Sequence, residues 1–176
     1  MTGLINSTKN SKLIPASLET VYHAFTKPEA LEKWLAPEGM TGKVHHFDWR
    51  EGGGYEMSLF YPDTETEFRG KTSPGEDRYT SKIIELIPFK KIVQVIQFKT
   101  DDAAFAGEMN IVVTLDEKEN GTNVTFSFRN IPAGIKPEDN EKGTISTLEK
   151  LARYATAHNE RDEQASDGSA NAFEGK

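Results

Sequence analysis

The stretch Pro137 to Ala157, PEDNEKGTISTLEKLARYATA, decides the fold, because it is the one long unbroken helix signal in the chain. Ile145, Leu148, Leu151, Ala152 and Ala155 recur at helical spacing and form one apolar stripe. Pro137 suits the first turn, and Glu138 and Asp139 suit the positive end of the helix dipole. Glu138 with Lys142, and Glu149 with Arg153, stand four apart in the orientation that favours ion pairing on the wet side. A helix with a single apolar stripe has to cover something. The segments before it supply a dry surface.

Immediately upstream the period is two. Val124, Phe126 and Phe128 alternate with Asn123, Thr125, Ser127 and Arg129, and Met109, Ile111, Val113 and Leu115 alternate with Asn110, Val112, Thr114 and Asp116. Glu119-Asn120-Gly121 between them is a hairpin signal. Tyr79 to Ile87 and Lys91 to Lys99 read as strands around Pro88-Phe89-Lys90, while Ala104 to Gly107 is small and flexible. Residues 62–77 are rich in polar and turn-forming types and read as a loop, with room for a short strand around Phe68. Before it, Tyr55, Met57, Leu59 and Tyr61 share one parity, and so do His45, Phe47 and Trp49. Asp48 and Arg50 fall on the other parity and are expected to pair there. The Gly52-Gly53-Gly54 triplet is followed by an alternating strand rather than a helix, so it reads as a hairpin turn and not as a phosphate cradle.

Two short helices open the chain. Ser17 is a good N-cap for a helix carrying Leu18, Val21, Tyr22 and Phe25, and Pro28 starts a second with Leu31, Trp34 and Leu35. Leu4 to Ile14 forms an edge-type strand ahead of them, ending at Pro15. The fold class is therefore α+β: a curved, mostly antiparallel sheet wrapped around the long C-terminal helix, with two short helices after the first strand. One domain is expected over residues 1–158, followed by a flexible polar tail from 159 to 176.

Composition excludes several function classes. The chain has 176 residues, no cysteine and a formal net charge of −7. Disulfides, thiolate metal sites and a cysteine nucleophile are absent by composition. The acidic balance and the lack of a basic stripe speak against nucleic-acid or anionic-membrane binding. The first fifteen residues lack the apolar segment of a secretion signal, no run is long enough to insert in a membrane, and a cytoplasmic location is expected. His45 and His46 point to opposite faces of a strand, while His23 and His158 lack ligand spacing, so no metal site is expected, nor a cofactor. No Gly-x-Ser-x-Gly elbow is present.

Five segments occur in the order of a known family: IPASLETVYHAFTKPEALEKWL (14–35), FDWREGGGYEMSLFY (47–61), ELIPFKKI (85–92), GTNVTFSFRNIP (121–132) and NEKGTISTLEKLARY (140–154). Together they resemble the activator-of-heat-shock-ATPase homologue family within the START-like helix-grip superfamily. Its bacterial members are commonly labelled polyketide-cyclase-like or SRPBCC proteins. The chain departs from the family's habits in Lys27, where an acid often precedes the proline, and in Thr144, where many members carry tryptophan. The resemblance implies a helix-grip fold with a cavity for an apolar small molecule. It leaves open ligand carriage, cyclase or aromatase chemistry, and regulation of a chaperone ATPase by protein contact.

Parity and this resemblance together nominate the walls of that cavity. Trp34, Phe47, Trp49, Tyr55, Met57, Tyr61, Met109, Phe126, Phe128 and Leu148 are expected to pack against a ligand, and His45, Gln94 and Tyr61 to orient it. Ordinary core packing is the competing role for each aromatic. For catalysis the candidates are His45, as a general base, and Tyr61. A non-catalytic hydrophobic-ligand binder is the expected function.

Overall fold

The computed structural model describes residues 6–62 and 75–171, with residues 160–171 described through their helical backbone only. Strands β1 (Thr8–Ile14), β2 (Thr41–Asp48), β3 (Gly54–Phe60), β4 (Glu76–Ile87), β5 (Lys91–Phe98), β6 (Met109–Lys118) and β7 (Gly121–Arg129) form one sheet. Its spatial order is β1-β7-β6-β5-β4-β3-β2, and every neighbouring pair is antiparallel. From β2 to β7 the chain simply meanders. Helices α1 (Leu18–His23) and α2 (Pro28–Trp34) carry it from one sheet edge to the other, and α3 (Pro137–Asn171) returns across the concave side to pack on β1, α1 and α2.

The local chemistry explains where these elements begin and stop. Ser17 Oγ accepts from the Thr20 amide at 3.1 Å, capping α1 as its residue type suggests. Pro28 opens α2, and the Trp34 indole donates to the Ala24 carbonyl at 2.9 Å, which locks the two short helices together. Glu119 and Asn120 form the two-residue turn between β6 and β7. At the β4–β5 turn Phe89 takes a positive φ of 65° and lays its ring against Tyr22, with centroids 4.4 Å apart.

Several expectations are corrected. Strand β4 begins at Glu76, so Glu76 and Asp77 belong to the sheet and not to a loop. Residues 63–74, including the strand expected near Phe68, lie outside the described residues. Ile145 is 47% exposed, whereas Thr144 and Thr147 are buried with Leu148, Leu151, Ala152 and Ala155. The expected stripe holds from Leu148 to Ala155, and in its first turn Thr144 takes the inward place expected of Ile145. Arg153 pairs with Glu38 at 2.7 Å, so its contact reaches across to the loop after α2. Helical backbone runs past Asn159 to Asn171, through residues expected to form a polar tail, and no proline interrupts it. Asn159 itself accepts from the Ser17 amide at 3.1 Å and so ties the helix to the start of α1.

On the convex face, Glu56 receives Arg78 Nε at 2.6 Å and Lys99 Nζ at 3.0 Å. The hydrogen bonds from Lys99 and Arg78 hold its carboxyl below the ordinary value of 4.5. Because the folded value is the lower one, this clamp stabilises the fold above pH 4.5 and loses that contribution as acid protonates Glu56. An acid titration of stability should therefore be flatter below pH 4.5 in Glu56→Gln than in the parent chain.

Candidate functional site

Between the concave face of the sheet and α3 lies a cavity of about 740 Å³. Its existence follows from how α3 sits. The helix rests on β1, α1 and α2 at one side, and the residues it turns toward the sheet centre are Asn140, Gly143, Thr144 and Thr147, all too short to fill the gap. Opposite them stand Tyr55, Tyr79, Gln94, Ile96, Met109, Ile111, Phe126 and Phe128, while Trp34, Leu31 and Phe25 close the floor. Trp34 and Phe25 meet edge to face, centroids 4.8 Å apart. Pro37, Phe105, Gly134, Ile135 and Asp139, drawn from three separate segments, also border the cavity.

The polar groups in this mostly apolar shell are few and specific. Asp77 is 2% exposed and accepts from the Tyr61 hydroxyl at 2.8 Å. Gln94 Nε2 donates to the Tyr55 hydroxyl at 3.4 Å, and the Tyr79 hydroxyl donates to Met57 Sδ at 3.5 Å. Burial pushes the Tyr55 phenol above its ordinary value, an effect that Gln94 partly offsets. Burial pushes Tyr79 up further, reinforced by Tyr55 and Asp77 nearby. Both phenols therefore stay protonated at neutral pH and act as hydrogen-bonding groups, not as bases. On the helix side, Thr144 Oγ1 donates to the Asn140 carbonyl at 2.7 Å and Thr147 Oγ1 to the Leu35 carbonyl at 3.3 Å.

Of the residues nominated from sequence, the fold brings Trp34, Trp49, Tyr55, Tyr61, Gln94, Met109, Phe126 and Phe128 to this one cavity. The others lie elsewhere. Met57 and Leu148 face inward but sit behind the wall, 0% and 2% exposed. Phe47 stacks between Trp49 and Tyr55, with ring centroids 6.1 and 6.3 Å away, and stays outside the lining.

His45 is the clearest correction. A β-bulge between Val44 and His46 shifts the pairing with β3, so the parity that His45 shares with Phe47 in sequence is broken in space. The imidazole leaves the cavity and its Nε2 bonds Ser58 Oγ at 2.8 Å, which in turn donates to Glu76 at 2.6 Å. Conversely, Asp77, Tyr79, Phe98, Phe105, Thr144 and Thr147 line the cavity without having been nominated. Alternation along Asp77, Tyr79 and Ser81 carries the signal for the first two, because β4 begins at Glu76. Among the described residues no group of His, Asp or Glu side chains is placed to hold a metal ion.

Residues 15–156 match the family model of the Activator of Hsp90 ATPase homolog 1-like proteins. The chain belongs to this family. Among solved structures of the same helix-grip fold, protein CV1439 from Chromobacterium violaceum is 31% identical, with a TM-score of 0.75 over 85% of this chain and 96% of that one. An AHSA1-like protein from Aeromonas hydrophila is 16% identical, with a TM-score of 0.65 over 86% and 93% of the two chains. NE0264 from Nitrosomonas europaea is also 16% identical, with a TM-score of 0.69 over 88% and 97%. At that identity the last two attest the fold alone. No curated protein matches the chain. No helix among the described residues is long and apolar enough to cross a membrane.

Gly143 shows how loosely this AHSA1-type helix faces its cavity. A Cβ there would meet nothing nearer than Pro37 Cγ at 4.0 Å. Glycine inside a helix costs entropy that alanine does not, so Gly143→Ala should stabilise the protein by about 0.5–1 kcal/mol in chemical denaturation.

Proposed function

We propose that the protein binds a small, largely apolar molecule, aromatic or of aromatic size, between the sheet and α3. The observation that carries this is a cavity of about 740 Å³ walled by aromatic and aliphatic side chains, with Asp77, Tyr55, Gln94 and Thr144 at its wall as orienting groups. A hollow of this volume falls in the usual range for small-molecule sites. Binding without a defined reaction is favoured over cyclase chemistry. The His45 imidazole, the candidate base, bonds Ser58 Oγ away from the cavity, and the Tyr61 hydroxyl, the other candidate, donates to Asp77.

Both tryptophans of the chain, Trp34 and Trp49, stand in the wall, so intrinsic fluorescence reports occupancy directly. Titration with neutral two-ring aromatics should quench or shift that emission saturably. Gly143→Leu, which places a side chain in the open space beside Pro37, should weaken the response about tenfold or more while the melting temperature holds. A signal that never saturates, or one indifferent to Gly143→Leu, would argue against binding in this cavity.

Contact with a chaperone ATPase is a second function, favoured by the family description and by Ile84, Ile87 and Phe89, which are 50%, 40% and 40% exposed near the β4–β5 turn. Ile84→Ser with Phe89→Ser should abolish capture of such an ATPase and leave the fluorescence titration untouched. Capture that survives the double substitution, with the titration unchanged, would remove this function and retain the first.

A further inference from the structure

We propose that Gln94 and Tyr55 form one polar subsite in the cavity wall and that this subsite docks a hydroxyl, so the guest is a neutral phenol or alcohol on an apolar skeleton. This rests on the binding function proposed above and names the group by which the guest is held. It starts from a misfit in the sheet. Gln94 lies midway along β5, 6% exposed, with Ile83 and Ile111 as cross-strand neighbours and Ile92 and Ile96 on its own face. An aliphatic side chain would fill that place at no polar cost. A carboxamide brings two N–H donors and an acceptor oxygen, and burial makes each unpaired one expensive. Among the described residues Gln94 commits one of them: Nε2 donates to the Tyr55 hydroxyl at 3.4 Å, and the carbonyl oxygen receives nothing.

Tyr55 holds the other half of the complement. Its oxygen takes the Gln94 hydrogen, and its own hydrogen has two places to go, the cavity or Ser81 opposite it across the β3–β4 ladder. Burial raises the Tyr55 phenol pKa, and Gln94 and then Ser81 temper the rise. The buried Ser81 Oγ nevertheless closes no hydrogen bond and Ser81 does not border the cavity, which leaves the guest as the acceptor. The pair therefore presents two donors, the Tyr55 O–H and the second Gln94 N–H, beside one acceptor, the Gln94 oxygen. Turning the amide over only exchanges the roles, with Tyr55 giving to Gln94 and two N–H donors standing beside a Tyr55 lone pair. A hydroxyl answers donor and acceptor from a single atom. It closes a ring from Gln94 to Tyr55, from Tyr55 to the guest oxygen and from the guest hydrogen back to Gln94, and each bond in such a ring strengthens the next. An ether or ketone only accepts, and leaves the acceptor of the pair bare in an apolar wall.

The test uses the full chain and two guests on one skeleton, 2-naphthol and its methyl ether 2-methoxynaphthalene. Each is read at neutral pH by displacement of N-phenyl-1-naphthylamine fluorescence. Transfer out of water alone favours the ether. The subsite reverses that order, and the naphthol should bind with a Kd at least about tenfold lower. Gln94→Leu, which continues the aliphatic wall, should hold or raise the melting temperature and abolish the preference. Tyr55→Phe should narrow it, and Ser81→Ala should leave it in place. Equal or tighter binding of the ether, a preference that survives Gln94→Leu, or one lost in Ser81→Ala overturns hydroxyl docking while leaving the binding function standing. Failure of all three molecules to bind overturns both.

Discussion

Replacing Trp34 by alanine is expected to destabilise the protein by about 3–5 kcal/mol, as for other large buried aromatics. Trp34 is 1% exposed and anchors three things at once. Its indole N–H holds the Ala24 carbonyl, its ring takes the edge of Phe25, and its far side forms part of the cavity floor. Truncation would leave a void that opens into the existing hollow, and the surrounding walls, already held off by that hollow, are poorly placed to collapse into it. Trp34→Phe keeps most of the packing and loses the hydrogen bond, so it should cost only about 1–2 kcal/mol. Urea denaturation of the two variants checks the ordering. Similar losses in both would mean that the hydrogen bond, not the ring volume, anchors α2.

The second large effect is expected at Gly54. Its φ of +145° lies where L side chains rarely go, and a Cβ built there stands 1.9 Å from the Ser81 carbonyl oxygen. That oxygen belongs to the backbone of β4, a strand paired on both sides, and cannot swing away. Gly54→Ala should therefore cost more than about 3 kcal/mol, among the larger single-residue effects, and disturb the β3 start that seats Tyr55. Gly52 provides the contrast. It also has positive φ, at +82°, but nothing lies within 4 Å of a Cβ there. Gly52→Ala should lose only about 1–2 kcal/mol, the ordinary cost of a left-handed residue. Thermal melts of the two alanine variants side by side check the difference.

Much of this fold is legible from residue order, for a physical reason. Half-wet strands must alternate, so Met109 to Leu115 and Val124 to Phe128 announce both their conformation and their inward faces. Ser17 and Pro28 mark helix starts because capping and fixed φ act locally. The errors cluster where a residue's environment is set by something distant. Ile145 fits an apolar stripe, but α3 turns toward a hollow and not toward a filled core, so Thr144 and Thr147 occupy the inward positions with their hydroxyls bonded to backbone carbonyls. His45 shares a parity with Phe47 until a bulge inserts one residue, and nothing in the alternation announces that bulge. Asp77 reads as loop because acids and glycines surround it, yet its partner Tyr61 and the strand beyond draw it into the wall. Met57 and Leu148 show a further boundary: parity tells which way a side chain points, while whether it reaches the cavity depends on wall thickness.

The most direct trial is to locate a bound guest by NMR. With the chain saturated by N-phenyl-1-naphthylamine, intermolecular nuclear Overhauser effects should reach the methyl groups of Ile96, Met109, Thr144 and Thr147, which border the cavity from both the sheet and the helix. Contacts confined to the exposed Ile84 and Ile87, with those four methyl groups silent, would contradict a guest held between the sheet and its final helix.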